Sequence, residues 1–270
     1  MQVPFRRATV RRAMLSAVCL SAIHLAAQQP PRPARMPDGK PNLNGIWQAM
    51  NTANWDLGEH ASRPGLVVAL GAEAAEPGGP GVVEGGEIPY LPDALEKKKA
   101  NFGNRLNLDP EIKCYLPGVP RATYMPYPFQ IFQSNKAVFF AYQYDGAVRN
   151  IFLKDPGPAP ADSWMGQSVG HWDGDTLVID VTGLDERTWF DRAGDFHSDA
   201  LHVVERYTPQ GPDRLAYEAT IEDPKVFSRP WKIRMPLYRH VEKDARLMEF
   251  KCVEFAEELM YGQFSKKTGK

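Results

Sequence analysis

The sequence predicts a mainly β fold. The expected architecture is an antiparallel meander of about ten strands, barrel-like, with one helix in an N-terminal insert; a two-sheet sandwich is the alternative. Three observations carry this. From about residue 128 onward, short apolar runs alternate with turn signals. Two of these runs alternate with a period of two, the spacing of a strand with one wetter face. In 176–182, Leu177, Ile179 and Val181 share one side; in 214–221, Leu215, Tyr217, Ala219 and Ile221 oppose Arg214, Ala216, Glu218 and Thr220. Finally, Asp145-Gly146 and Asp173-Gly174 sit between apolar runs, a strong hairpin signal. Short connections join antiparallel neighbours, and about ten strands in series favour closure.

The elements follow in order. Residues 1–27 carry Arg6, Arg7, Arg11 and Arg12, no acid, and then an apolar stretch from Ala13 to Ala27. This is the pattern of a signal peptide cleaved near Ala27, and Arg11-Arg12 allows the twin-arginine route as well as the general one. Residues 28–41 form a Pro-rich leader, and 42–262 a single barrel-like domain. Its first strand is 42–50, anchored by Trp47. An insert at 56–110 holds a Gly/Pro-rich surface loop and the one good helix, 92–106. Pro92 suits the first helical position, and Leu91, Leu95, Phe102 and Leu106 give an apolar stripe. Lys97, Lys98 and Lys99 read as its solvated face. Further strands are expected at 128–133, 137–144, 147–153, 167–172, 176–182, 200–208, 214–221, 231–239 and 246–254, and a polar tail at 263–270.

Hydrophobic residues make up 43% of the 270, enough for a core, so general disorder is excluded. The formal net charge is -1, and removal of the four arginines of 1–27 makes the remainder more acidic. That balance argues against a nucleic-acid partner. No stable membrane insertion is expected after signal cleavage, and localisation is exported, periplasmic or extracellular. Cleavage also removes Cys19 and leaves Cys114 and Cys252, which in an oxidising compartment read as one disulfide. No CxxC motif is present, so no cysteine zinc site is expected.

The densest polar stretch is 185–206, far longer than a hairpin connection requires. Loops of this kind on a rigid scaffold concentrate function. Acid–base chemistry there would use His197 or His202 with Asp191 or Glu205, because imidazole titrates near neutral pH and a carboxylate can fix its tautomer. The same residues would serve equally as hydrogen-bonded ties of a long loop. A metal site on His197 and His202 lacks a third ligand marked by spacing, and Ser198 lacks a nucleophile elbow, so no metal and no cofactor are expected. Asp173-Gly174-Asp175 reads as a turn rather than a calcium loop. On the strand at 200–208, His202 and Arg206 share a face. Aromatic residues are abundant and read first as core packing; the alternative is a ligand pocket of Tyr144, Trp172 and Trp189, with Arg149 and Arg206 as polar anchors.

The motifs KCYLPGVPR (113–121), GHWDGDTLVIDVTG (170–183), WFDRAGDFHSDALHVVERY (189–207), IEDPKVFSRPW (221–231) and FKCVEF (250–255) together resemble a family of exported bacterial β-rich proteins. The resemblance implies export and a β fold and brings no reaction with it. Gly45-Ile46-Trp47 is similar to the G-x-W opening of lipocalin-like barrels. The leading expectation is an exported protein that binds a small organic molecule, apolar or aromatic and open to an acidic group, in a barrel pocket near 185–206. The alternatives are a hydrolase, lyase or isomerase with a His/carboxylate pair, and a structural or interaction protein of the envelope.

Overall fold

Nine strands close on themselves among the residues that the computed structural model describes, 33–65 and 75–261. The expected signal peptide, the start of the leader, and the 263–270 tail lie outside the described residues. The strands are β1 (Gly45–Ala49), β2 (Phe129–Gln133), β3 (Val138–Tyr142), β4 (Val148–Phe152), β5 (Gln167–Asp173), β6 (Thr176–Thr182), β7 (His202–Pro209), β8 (Arg214–Glu222) and β9 (Trp231–Arg239). Each pairs with the next, and β9 returns to β1, with Trp47 opposite Arg239 and Ala49 opposite Leu237. No described helix is long and apolar enough to cross a membrane.

The barrel expectation holds, with two changes. First, the sheet is mixed: β4 and β5 run parallel, with Ile151 opposite Ser168 and Phe152 opposite Val169. A parallel pair needs a connection of about a dozen residues or more, which the Pro-rich segment 153–166 supplies. Gly170 is required at this seam, because a Cβ there would lie 2.5 Å from Ile151 Cγ2. Second, 246–254 is not a strand. β9 already has β8 on one side and β1 on the other, with Val82 accepting the Arg234 N–H beyond the end of β1, so that edge is taken. The segment instead lies as irregular chain, with Phe250 against Tyr127 and Tyr144 at ring separations of 4.5 and 5.6 Å. Cys252 therefore sits on this irregular segment when it forms the disulfide with Cys114, at a Cα separation of 5.5 Å.

Local signals act as expected at the turns. Asp145 (φ 48°) and Gly146 (φ 64°) both adopt the left-handed conformation that a type I′ turn demands. The helix appears as α1 (Pro92–Gly103), followed by the single turn α2 (Arg105–Leu108). Its expected apolar stripe is only in part the buried face: Leu91 packs against the core and Phe102 is half-buried. Leu95 and Leu106 are exposed, while Ala94 and Asn101 are buried. The helix docks by close backbone approach: Asn101 Nδ2 donates to the Gly194 carbonyl, and a Cβ on Gly194 would lie 2.7 Å from Asn101 Cβ. Large side chains on that face would hold the helix off. The Gly/Pro-rich part of the insert is pinned as well, by bridges from His60 to Gly79, Val83 to Ile233 and Tyr90 to Phe227.

Side chains fill the barrel. Trp47, Phe129, Phe140, Tyr207, Tyr217 and Ile233 are among the inward residues, all buried. At the centre lies one ion pair. Arg149 on β4 binds Glu205 on β7 and donates from Nε to Ser168 Oγ at 2.7 Å. The Tyr207 and Tyr217 hydroxyls donate to the other Glu205 oxygen at 2.9 and 2.8 Å. Arg149 Nη1 has no partner. Removing one member of a buried pair leaves the other charge uncompensated, a loss of about 3–5 kcal/mol. Glu205→Ala should therefore lower stability in urea denaturation by about that amount, and adding Arg149→Met should recover part of it. Additive losses would show that the two residues are not coupled.

Candidate functional site

The structure disperses the residues expected to cooperate around 185–206. His197 is buried beneath that segment, its ring between the Ser198 carbonyl (2.8 Å from Nδ1) and Thr188 Oγ1 (2.6 Å from Nε2). A carbonyl can only accept, so Nδ1 carries the proton and Nε2 accepts from the threonine hydroxyl. Burial pushes the imidazole pKa down, which keeps the ring neutral. His202 is on the outer wall, with Nε2 3.2 Å from Asp180 and Nδ1 3.7 Å from Glu222. Glu205 is inside the barrel on Arg149. Thus the two expected catalytic residues on β7 face opposite sides of one wall, because strand side chains alternate. Asp191 belongs to a different group again, described below. No acid–base pair forms from these four residues among the recorded hydrogen bonds.

The expected ligand-binding residues do not converge either. Arg149 points inward to Glu205, whereas Arg206 points outward to Asp173 at 2.8 Å. Trp172 packs partly buried under Lys40, and Trp189 is buried where its strand fragment bridges Phe196. Tyr144 is buried against Phe250 and donates to the Glu111 carbonyl. These positions are spread over the lumen, the outer wall and the barrel ends.

Asp191 closes the segment onto the insert. Its Oδ2 accepts the Leu57 N–H at 2.9 Å, and its Oδ1 the Asp195 N–H at 3.1 Å. Asp56, Asp191 and Asp195 bring three carboxylates within 4.8 Å of one another, the one such group among the described residues. Tyr90 donates to Asp195 at 2.7 Å, and Lys98 lies 3.9 Å away. Both Asp191 oxygens are thus engaged by backbone donors and an ammonium already stands beside the group, a poor offer to a cation. Burial and then the neighbouring Asp195 push the Asp191 carboxyl well above the usual range. Lys97 and Lys98, expected as a solvated face, in fact lean on this segment, Lys97 lying over the Phe196 ring at 4.3 Å.

A concavity lies elsewhere, on the outer wall of β7, β8 and β9, with a volume of about 410 Å3. The register explains it. Arg206, Glu218 and Arg234 lie opposite one another across the three strands and form one raised row. Two residues along, the next row is Thr208, Ala216 and Pro236, all short. Two further, Arg214 lies opposite Tyr238, with Gln210 beside it. A row of short side chains between two rows of long ones makes a trough. Glu218 is held by Lys232 at 2.9 Å and Arg234 at 2.7 Å; burial opposes its ionisation, but these cations keep its carboxyl below the usual range. Arg234 also pairs with Glu84 at 2.9 Å. Arg214 makes no ion pair with any described carboxylate and lies 6.0 Å over the Tyr238 ring. Of the trough residues, sequence reading found Arg206 alone; the alternation exposed Arg214, Ala216 and Glu218 as one face of β8, but nothing in it aligned that face with β7 and β9.

No family model, curated protein or solved structure matches this chain. The trough is therefore judged on its own chemistry.

The carboxylate group makes stability depend on pH. An unfolded aspartate titrates near about pH 4. Between there and the raised value of Asp191, the folded chain holds the extra proton, so stability falls as pH rises through that window. In Asp195→Asn, the amide can still accept from Tyr90 while donating to Asp191. Its melting temperature, measured from about pH 4 to about pH 8, should fall less steeply than that of the wild type. Equal slopes would show that the pair does not share a proton.

Proposed function

We propose that this is an exported protein that binds a small organic anion in the trough on β7, β8 and β9. The observation that supports it is the arrangement itself: three guanidiniums, from Arg206, Arg214 and Arg234, border a floor of Thr208, Ala216 and Pro236. Polar groups around an apolar floor are the usual composition of a small-ligand site, and guanidinium is the side chain best shaped for carboxylate or phosphate. This keeps the acidic small-molecule ligand expected from the sequence and moves its site from the lumen to the outer wall. Binding is favoured over catalysis because His197, Asp191 and Glu205 are consumed by internal contacts. The arginine-rich start followed by an apolar stretch, together with a disulfide between Cys114 and Cys252, supports export.

Two measurements test this. A ligand bound only to the folded state at a hundred times its dissociation constant adds about 2.7 kcal/mol of stability. A thermal-shift screen of small organic acids should find such stabilisation in the wild type and lose it in Arg214→Gln; a hit that shifts both equally would place binding elsewhere. For export, the amino-terminal sequence of protein recovered outside the cytoplasm should begin at or near Gln28. Recovery of the intact chain from the cytoplasm alone would overturn that part.

A further inference from the structure

We infer that the ligand of the trough is a flat, singly charged carboxylate whose carboxylate sits on Arg214. The inference rests on the trough being an anion site and adds the charge, shape and orientation of its occupant.

The charge follows from how the trough's cations are already spent. Arg206 is paired with Asp173, and Arg234 is paired with both Glu218 and Glu84. Lys232, just beyond that row, is paired with Glu218. Arg214, at the opposite end, has no carboxylate partner among the described residues and lies over the Tyr238 ring. One uncompensated guanidinium matches one negative charge. A second charge would fall toward the wall that holds Glu218, where like charges repel. Phosphate esters and dicarboxylates therefore fit badly.

The shape follows from the rows. Strand rise places the two walls about 13 Å apart along the strands, and the three strands span about 10 Å. Long arginine side chains lean into that space from both ends. The Thr208 hydroxyl is engaged by Thr176 at 2.8 Å, and Ala216 and Pro236 offer no polar side-chain atom. A flat apolar body laid on this floor loses no hydrogen bond and covers short side chains that would otherwise stay wet. Tyr238, 41% exposed, stands at the Arg214 end as a ring edge or face for it. Arg214 above that ring presents its planar fork to a carboxylate, the geometry in which two parallel N–H donors act together.

The test is titration calorimetry on the chain without residues 1–27, with benzoate, benzamide, phthalate, acetate and inorganic phosphate as probes. Benzoate should bind at least tenfold more tightly than any of the other four. Arg214→Lys should weaken benzoate at least tenfold, since an ammonium cannot form the fork, while Arg229→Lys, exposed and outside the trough, should change it less than threefold. Ala216→Leu, an outward substitution that fills the floor, should abolish binding with the melting temperature nearly unchanged. If phthalate or phosphate binds more tightly than benzoate, and Arg214→Gln removes that binding, the anion site stands and the singly charged, flat ligand is overturned. If none of the five binds, or if binding survives both Arg214→Gln and Ala216→Leu, both the ligand and the site are overturned.

Discussion

The return of β9 to β1 decides where every other group in this protein can act. A closed sheet has one inside, and the two-residue alternation of a strand then commits each side chain to the lumen or to the outer wall. Without that closure β1 and β9 would be bare edges, open to pairing with other chains. With it, the inside is small and must be filled. Rings from β2, β3, β7 and β8 fill it, around a buried Arg149–Glu205 pair braced by two tyrosines and Ser168. The proposed binding surface is consequently on the outside of the wall.

On that outside, shape comes from which residues lie level with one another. A single strand with Arg214, Ala216 and Glu218 facing water is an ordinary polar face. Three strands in register, with Thr208, Ala216 and Pro236 in one row, make a channel between charged walls. Pro236 is tolerated there for a simple reason. The Arg234 N–H points to Val82, and alternation puts the Pro236 nitrogen on the same side, past the end of β1 at Ala49, where β1 offers no ladder partner. The polar 185–199 segment has the opposite economy. Its His197 and Asp191 are each engaged by partners within the protein, so the segment serves to tie the insert and α1 down over the barrel.

Several features were legible because they depend on neighbours in the chain. The inward face of β8, Leu215 to Ile221, shows in the period of two, and the turn at Asp145-Gly146 in its residue types. The Cys114–Cys252 pairing followed once the leader was set aside. Other readings failed where a distant partner overrode the local pattern. The run at 246–254 has strand-like composition, yet both sides of β9 were already occupied. Leu95 and Leu106 gave a good helical stripe, yet the contact with Gly194 called for small residues and selected Ala94 and Asn101 instead. His202 and Arg206 were correctly placed on one face of β7, and Glu205 on the other, but nothing local said which of them was the lumen.

What the amino-acid order determined is the eight strands β2 to β9, the face that each residue shares with its neighbours, and the turn positions. These follow from alternation and backbone preference, which operate over a few residues. Tertiary structure alone decided which face turned inward, which residues of β7, β8 and β9 stand level, and that Arg214 has no carboxylate partner among the described residues. Those outcomes depend on register and closure between strands far apart in the chain, set by the packing of the whole barrel, and no short stretch of sequence encodes them.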